Sequence, residues 1–311
     1  MKRVVDWLVY VLVRGFFLLL STMPMWLAYR FCWALADLIY LIDGKHRRIG
    51  LINLSLAFPD KDVAWKKKVL RLSFREQGNQ AVLLSRLERL STAEITRRIT
   101  YEAGRGIENY LRARELGKGV IFVTAHIFAW EILPAAHAAY GYPLSFVVRP
   151  LDNPYLDRWL ERLRSQRGNQ AIAKTAAVRT ALRILHQGRD IGFLIDQNIQ
   201  EKEGVFVPFL GQQACTTSSV AAIALKTGAP VVPGFIYRSV NGRYHIRFYP
   251  PIEVRPGGNN GSDIVRYTAE FSRYVEEMIR EFPHCWLWGH RRFATQPDGS
   301  NPYARTRSRS L

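Results

Sequence analysis

Between residues 119 and 281, short apolar runs alternate with amphipathic stretches of helical length, and this rhythm restricts the fold more than any other feature. Gly119-Val-Ile-Phe-Val-Thr-Ala125 is the clearest run: apolar, bounded by glycine and too short for a helix of its own. Leu144–Val148, Ile191–Ile195 and Pro230–Tyr237 read the same way. Helices are predicted from residue 126 to about Tyr140, and over Asn153–Arg167, Thr175–Gln187, Thr216–Lys226 and Ser262–Glu281. Strands that are apolar throughout are buried on both faces, which requires a parallel sheet covered by helices. Tyr244–Tyr249 alternates instead and is expected to pair as an antiparallel strand. The expected class is α/β, with a mixed, mostly parallel sheet flanked by helices.

The amino terminus is of another kind. Val4–Ile42 is mostly apolar and aromatic, interrupted by Arg14, Arg30 and Asp37. Gly15–Tyr29 is its longest uncharged stretch and falls short of the roughly 20 residues of a clean span. One intramembrane arginine costs only about 3 kcal/mol on insertion scales. A helix over Val4–Ser21 therefore either spans a membrane or lies in its interface, and Pro24 starts a second apolar helix. Lys45-His46-Arg47-Arg48 follows, a cluster suited to acidic head groups on a cytoplasmic face. The chain thus divides into an N-terminal membrane-anchoring helical segment (1–44), a catalytic domain (45–300) and a basic tail (301–311). Val63–Leu90 reads as one amphipathic helix, and Ser91-Thr-Ala-Glu94 as the cap of another.

Charge narrows the choice of partner. The 311 residues carry 44 basic and 26 acidic side chains, a net charge of +18. Such an excess points to nucleic acid, an anionic membrane or a phosphorylated substrate. No nucleic-acid-binding module is recognisable, and much of the charge is spread along amphipathic helices. Three scattered cysteines without a CxxC pair argue against a disulfide framework or a thiolate metal site.

The candidate chemistry sits at His126, directly after the strand ending Thr124-Ala125, with Glu131 five residues later. Catalytic groups favour the carboxyl ends of such strands. An imidazole acting as a base needs a carboxylate on its other nitrogen. Positions five apart do not face each other on a regular helix, so the pair is expected to straddle the strand-to-helix turn. With 7 histidines and 26 acids in the chain, about 0.6 such spacings arise by chance, so the spacing alone is weak.

Several ordered blocks strengthen it. They are His46-Arg-Arg-Ile-Gly-Leu-Ile-Asn-Leu-Ser-Leu-Ala-Phe-Pro59, His126–Glu131, Arg149-Pro-Leu-Asp-Asn-Pro154, Gly192-Phe-Leu-Ile-Asp-Gln-Asn198, Gly204–Gly211, Ala229–Pro233 and Trp286-Leu-Trp-Gly-His-Arg-Arg-Phe293. Together they resemble the lysophospholipid-acyltransferase superfamily, specifically its branch of lipid A biosynthesis lauroyl and myristoyl acyltransferases. The resemblance implies a glycerolipid-acyltransferase-like sheet and an O-acyltransferase using acyl-acyl-carrier protein or acyl-CoA as co-substrate, with no other cofactor and no metal. It implies a lipid A precursor or related anionic glycolipid as acceptor. It also implies a place on the inner membrane, with the catalytic domain on the cytoplasmic face. His126 and Glu131 match its His-x4-Glu, with His126 as general base and Glu131 holding the imidazole. The G-x-S-x-G elbow of acyl-enzyme hydrolases is absent, so direct transfer is expected. Arg149, Arg164 and Lys174 are candidates for holding phosphate or sugar, and Asp196 and Gln197 end another strand. Oxyanion donors are sought near the Asp196-Gln197 turn or on a nearby arginine. The tryptophans at 286 and 288 read as packing, and His137, His186 and His245 as structural or surface residues. One departure falls at the site: the family commonly reads His-Phe-Gly-Asn-Trp-Glu where this chain has His126-Ile-Phe-Ala-Trp-Glu131. The readings set against this are acylation of another lysophospholipid or glycolipid, and a non-catalytic basic protein binding membrane or nucleic acid.

Overall fold

A computed structural model describes residues 2–304; residues 305–311, most of the expected basic tail, lie outside the described residues. The chain opens with two apolar helices, α1 (Lys2–Thr22) and α2 (Met25–Ile42), with Pro24 between them where it cannot break either. Both are long and apolar enough to cross a membrane. Then follow α3 (Gly44–Ala57), α4 (Val63–Leu87), α5 (Thr92–Arg98), β1 (Ile99–Tyr101), α6 (Ile107–Arg114), β2 (Ile121–Thr124), α7 (Leu133–Ala139) and β3 (Ser145–Val148). The remaining elements are α8 (Pro154–Arg164), β4 (Gln170–Ala173), α9 (Ala177–His186), β5 (Ile191–Leu194), β6 (Gly204–Phe209), β7 (Gln212–Thr217), α10 (Ser219–Thr227), β8 (Val231–Arg238), β9 (Tyr244–Phe248) and α11 (Asn260–Glu281).

Local chemistry sets several boundaries. Asp62 accepts the Trp65 N–H to open α4, Asn153 caps α8, and Ser91 with Glu94 forms a reciprocal capping box at α5. Gly228, with positive φ, closes α10.

The strands form a seven-stranded sheet in the order β1-β9-β8-β2-β5-β3-β4, parallel except where β9 runs antiparallel to β8, as its alternation predicts. β2 lies between β5 and β8 and is parallel to both. Its side chains divide between two cores. Ile121 and Val123 join the cluster containing α9, α10 and α11, while Phe122 joins the one beneath α6, α7 and α8. Sequence periodicity missed β1, α6, β4 and the β6–β7 hairpin. The hairpin pairs Gly204 with Thr217, so Thr216 and Thr217 are strand rather than the start of a helix.

The N-terminal helices are fastened to the domain rather than appended to it. Arg71 and Arg75 both bind Asp37 of α2, Trp33 Nε1–H donates to Asn79 at 2.7 Å, and Arg86 donates to the Leu20 and Met23 carbonyls. A side chain at Gly78 would press on Cys32 at 3.1 Å, so α2 and α4 meet backbone to backbone. Leu20, Ala28, Cys32 and Val82 share a small core of their own. Deleting residues 1–43 is therefore expected to give aggregated protein rather than a soluble catalytic domain. Recovery of a monodisperse, folded fragment in size-exclusion chromatography without detergent would contradict the packing. At the other end, Tyr303 is buried, its hydroxyl donating to Asn53 and accepting from the Phe293 N–H.

Candidate active site

β2 ends at Thr124, and residues 125–132 turn irregularly before α7 begins. His126 sits in this turn at the carboxyl edge of the sheet, next to the end of neighbouring β5, where Asp196 emerges. Asp196 is buried and accepts three hydrogen bonds: from His126 Nδ1–H at 2.8 Å, from the His126 backbone N–H at 3.0 Å and from Trp286 Nε1–H at 2.7 Å. An ionised carboxylate only accepts, so Nδ1 carries a proton, and in the neutral ring Nε2 is left with the lone pair. Gln197 turns its side-chain amide toward that nitrogen at 3.3 Å.

This corrects the expectation that Glu131 holds the imidazole. Asp196 holds it, seventy residues away in sequence and adjacent only because β2 and β5 are neighbours. Glu131 instead forms a two-pronged pair with Arg164 at the end of α8, the Nε–Oε2 bond measuring 2.9 Å. Trp286, expected only to pack, is also a site residue through its bond to Asp196.

The electrostatics follow from these contacts. Burial opposes charge on His126, but the Asp196 carboxylate, its hydrogen bond and Glu131 outweigh burial and raise the His126 pKa above its usual value. Asp196 is also opposed by burial, yet His126 and the Trp286 donor hold it below the ordinary carboxylate range. Glu131→Gln removes one of the charges that raise the His126 pKa and leaves Arg164 uncompensated. A base works only when neutral, and activity is lost as pH falls through its pKa. The acid limb of the pH–rate profile is therefore expected to move to lower pH in Glu131→Gln, which a rate profile across pH 5–8 would read; an unmoved limb contradicts the coupling.

The C-terminal segment straps the site. Phe128 N–H donates to the Cys285 carbonyl and Leu287 N–H to that of His126, making a short bridge between the His126 turn and residues 285–287. His290 Nε2 accepts the Asn198 N–H at 2.9 Å. Arg292, fully buried, reaches the carbonyls of Gln197 and Cys215 and the Thr216 hydroxyl. Phe128 stands in a backbone conformation that favours glycine, with φ +46°. The ring is buried against Phe282 and His284, and that packing holds the strained residue in place.

An apolar cleft opens beside this centre. It runs across the α7–α8 face of the sheet and is narrow, with a cavity volume of about 70 Å³. Trp130, Glu131, Arg164 and Thr124 line it near the site, and Phe122, Leu144, Phe146 and Phe248 line it further along. Gly192 contributes no side chain; a Cβ there would meet Leu144 at 3.4 Å. His137 closes the cleft's far part and is structural, bonded to the Tyr101 hydroxyl at 2.6 Å, with burial pushing its pKa down to about 3.

Of the residues expected to bind substrate, the structure gathers Arg164, Asp196 and Gln197 at the centre. It leaves Arg149 and Lys174 exposed: Arg149 stands 4.0 Å from Asp152 and Lys174 3.5 Å from Glu203. Cys215 and Cys285 are buried thiols whose pKa burial raises.

An imidazole backed by a buried carboxylate, near an apolar cleft in an α/β sheet, can move a proton. Comparison with known proteins makes the class specific. A sequence model of the family described as bacterial lipid A biosynthesis acyltransferase matches residues 1–295, and the chain belongs to that family. It is 26% identical over 287 residues to the lipid A biosynthesis lauroyltransferase of Escherichia coli K12, covering 92% of this chain and 91% of that one. It is 25% identical over 259 residues to the palmitoleoyltransferase of the same organism, covering 83% and 81%. Its myristoyltransferase is 24% identical over 266 residues, covering 85% and 80%.

Proposed function

We propose that this acyltransferase moves a fatty acyl group from a thioester, carried by acyl-carrier protein or CoA, to a hydroxyl of a lipid A precursor. It does so while attached to the inner membrane with its site on the cytoplasmic face. The observation that carries the reading is the His126–Asp196 pair: Nδ1 lies 2.8 Å from the buried carboxylate, so in the neutral imidazole Nε2 is the nitrogen left to accept a proton. A hydroxyl is a poor nucleophile at neutral pH. His126 Nε2 takes its proton as the oxygen attacks the thioester carbonyl, and Asp196 stabilises the resulting imidazolium. The C–S bond then breaks, and the departing thiolate recovers the proton from His126. The Gln197 amide and the Arg164 guanidinium supply donors near the developing oxyanion. The acyl chain lies in the cleft, and Arg149 and Lys174, exposed at the same edge of the sheet, meet the anionic parts of the substrates. The names of the relatives support the acceptor class, and the basic Lys45–Arg48 cluster supports the cytoplasmic side.

Purified protein given a radiolabelled acyl-carrier-protein or CoA thioester should acylate a lipid A precursor, with the product identified by mass spectrometry. Transfer only to a lysophospholipid or another glycolipid would move the substrate assignment, and no transfer from either donor would overturn the reading. Gly192→Ala tests the cleft. The added methyl makes only ordinary contacts with Leu144, Phe146 and Phe122, so the fold is expected to survive. Preference among donors should shift toward shorter chains, and an unchanged chain-length profile would place the acyl group elsewhere.

A further inference from the structure

We propose that Gln197 withholds the His126 base from water until the acceptor hydroxyl arrives, and so determines that the acyl group passes to the acceptor rather than to solvent. The inference rests on the acyl-transfer reading above and names the residue that sets its choice between two nucleophiles. Water is the rival in such a site. Its proton can pass to His126 Nε2 as its oxygen bonds to the thioester carbonyl carbon. The C–S bond then breaks, the thiolate takes the proton from Nε2, and the acyl group leaves as a free fatty acid. A centre that transfers directly needs a way to suppress this loss.

The contacts around His126 provide one. Asp196 fixes the ring through Nδ1–H, so a group that bonds to Nε2 of the neutral ring must donate. The Gln197 side-chain amide does so, its nitrogen 3.3 Å from Nε2. An attacking hydroxyl donates to the same lone pair, so amide and hydroxyl compete for one position. An amide N–H is too weak an acid to surrender its proton there, and the resting contact is therefore unreactive. At 3.3 Å the bond is longer than the ordinary range, which keeps the exchange easy. Asp196 is no alternative partner, since it already accepts from His126 twice and from Trp286. The approach is otherwise narrow. Trp130 stands edge-on to the imidazole with ring centroids 5.1 Å apart, and only 16% of the His126 side chain is exposed.

The main chain and side chain of Gln197 are held very differently. Its carbonyl accepts from the buried Arg292 at 3.1 Å, and the next N–H, of Asn198, donates to His290 Nε2 at 2.9 Å. Asn198 and Thr295 exchange two more bonds, of 3.0 and 3.1 Å. Between these fixed points the Gln197 side chain is exposed and free to change rotamer. The amide can thus leave His126 by side-chain rotation alone, with Asp196 undisturbed. Discrimination follows from what each nucleophile brings. Water replacing the amide exchanges one hydrogen bond for another and loses its own freedom. An acceptor lipid is already ordered by contacts remote from its hydroxyl, and that binding drives the amide aside. The displaced amide is then free to donate to the thioester carbonyl oxygen as charge develops on it.

The test uses the full-length enzyme in detergent and the thioester that supports transfer. Thiol release counts all cleavage, and mass spectrometry separates acylated lipid A precursor from free fatty acid. The readout is the ratio of hydrolysis without acceptor to transfer at saturating acceptor, because loss of an oxyanion donor alone lowers both and leaves the ratio unchanged. Gln197→Ala is expected to raise this ratio roughly two- to tenfold, the effect of one ordinary hydrogen bond. Gln197→Met keeps the bulk without the donor and should raise it as well. An unchanged ratio in Gln197→Ala would leave Gln197 an oxyanion donor only and overturn the proposal. A wild-type ratio in Gln197→Met would show that bulk shields the base without the hydrogen bond, and would overturn it too. A wild type that transfers no acyl group from either donor would instead defeat the acyl-transfer reading itself.

Discussion

His126→Ala is expected to lower acyl transfer by at least roughly 10²–10⁴, the range of general-base catalysis, while the protein stays folded and membrane-bound. The imidazole is largely buried but its loss leaves only Asp196 without one of three donors; the backbone N–H of residue 126 and Trp286 remain. Asp196→Asn should lose on the order of 10⁴, as expected when a histidine base loses the carboxylate that fixes its tautomer. An asparagine amide can present its N–H to Nδ1, which forces the proton onto Nε2, where the base must be free. Glu131→Gln should lose less than Asp196→Asn, because Glu131 reaches His126 only through space. That order separates the geometry found here from the one the sequence spacing suggests. Steady-state rates with a thioester donor would read it, and a wild-type rate from folded His126→Ala would sink the mechanism.

Arg292→Ala is expected to cost stability first and activity with it. The guanidinium is completely buried, and its partners are the Gln197 and Cys215 carbonyls and the Thr216 hydroxyl. Burial pushes its pKa down to about 10 against the pull of Asp196, so it remains charged at neutral pH. Alanine would leave these acceptors unsatisfied beside Phe209, over whose ring the cation lies at 4.8 Å. At about 1–3 kcal/mol per buried group left unpaired, the three groups make the loss at least roughly 3 kcal/mol. Thermal unfolding in detergent would show it as a large drop in midpoint, and a midpoint equal to the wild type would show that the fork is not holding the Gln197 turn. Lysine keeps the charge but cannot serve three separated acceptors, so Arg292→Lys should fall between the two.

The position of Phe128 shows how packing absorbs a departure from a motif. The sequence offers a bulky residue where the family commonly has glycine. In the structure the position has a left-handed backbone, so glycine there answers a conformational need, and Phe128 meets the same need by burying its ring against Phe282 and His284. The ring points into packing, and the cleft is lined by other residues.

Periodicity, glycine boundaries and capping residues determined by themselves that this chain builds a mostly parallel α/β sheet behind two apolar helices, and that His126 stands at a strand's carboxyl end. These are local properties, written in residues that neighbour one another along the chain. The edge strands β1 and β4 are too short to announce themselves in this way, and in the β6–β7 hairpin the apolar β6 is interrupted by Pro208 while β7 is mostly polar. The acid behind His126 is not a local property. It depends on which strand lies beside β2, and strand order is decided by packing over the whole chain. The tertiary structure placed β5 there and so brought Asp196 to the imidazole, sent Glu131 to Arg164, and folded Trp286 and Arg292 back over a turn almost a hundred residues earlier. Tertiary packing likewise decided how the apolar helices are held: hydropathy makes them long enough to cross a bilayer, but a small shared core and the ion pairs of Arg14 and Asp37 bind them to the body of the enzyme.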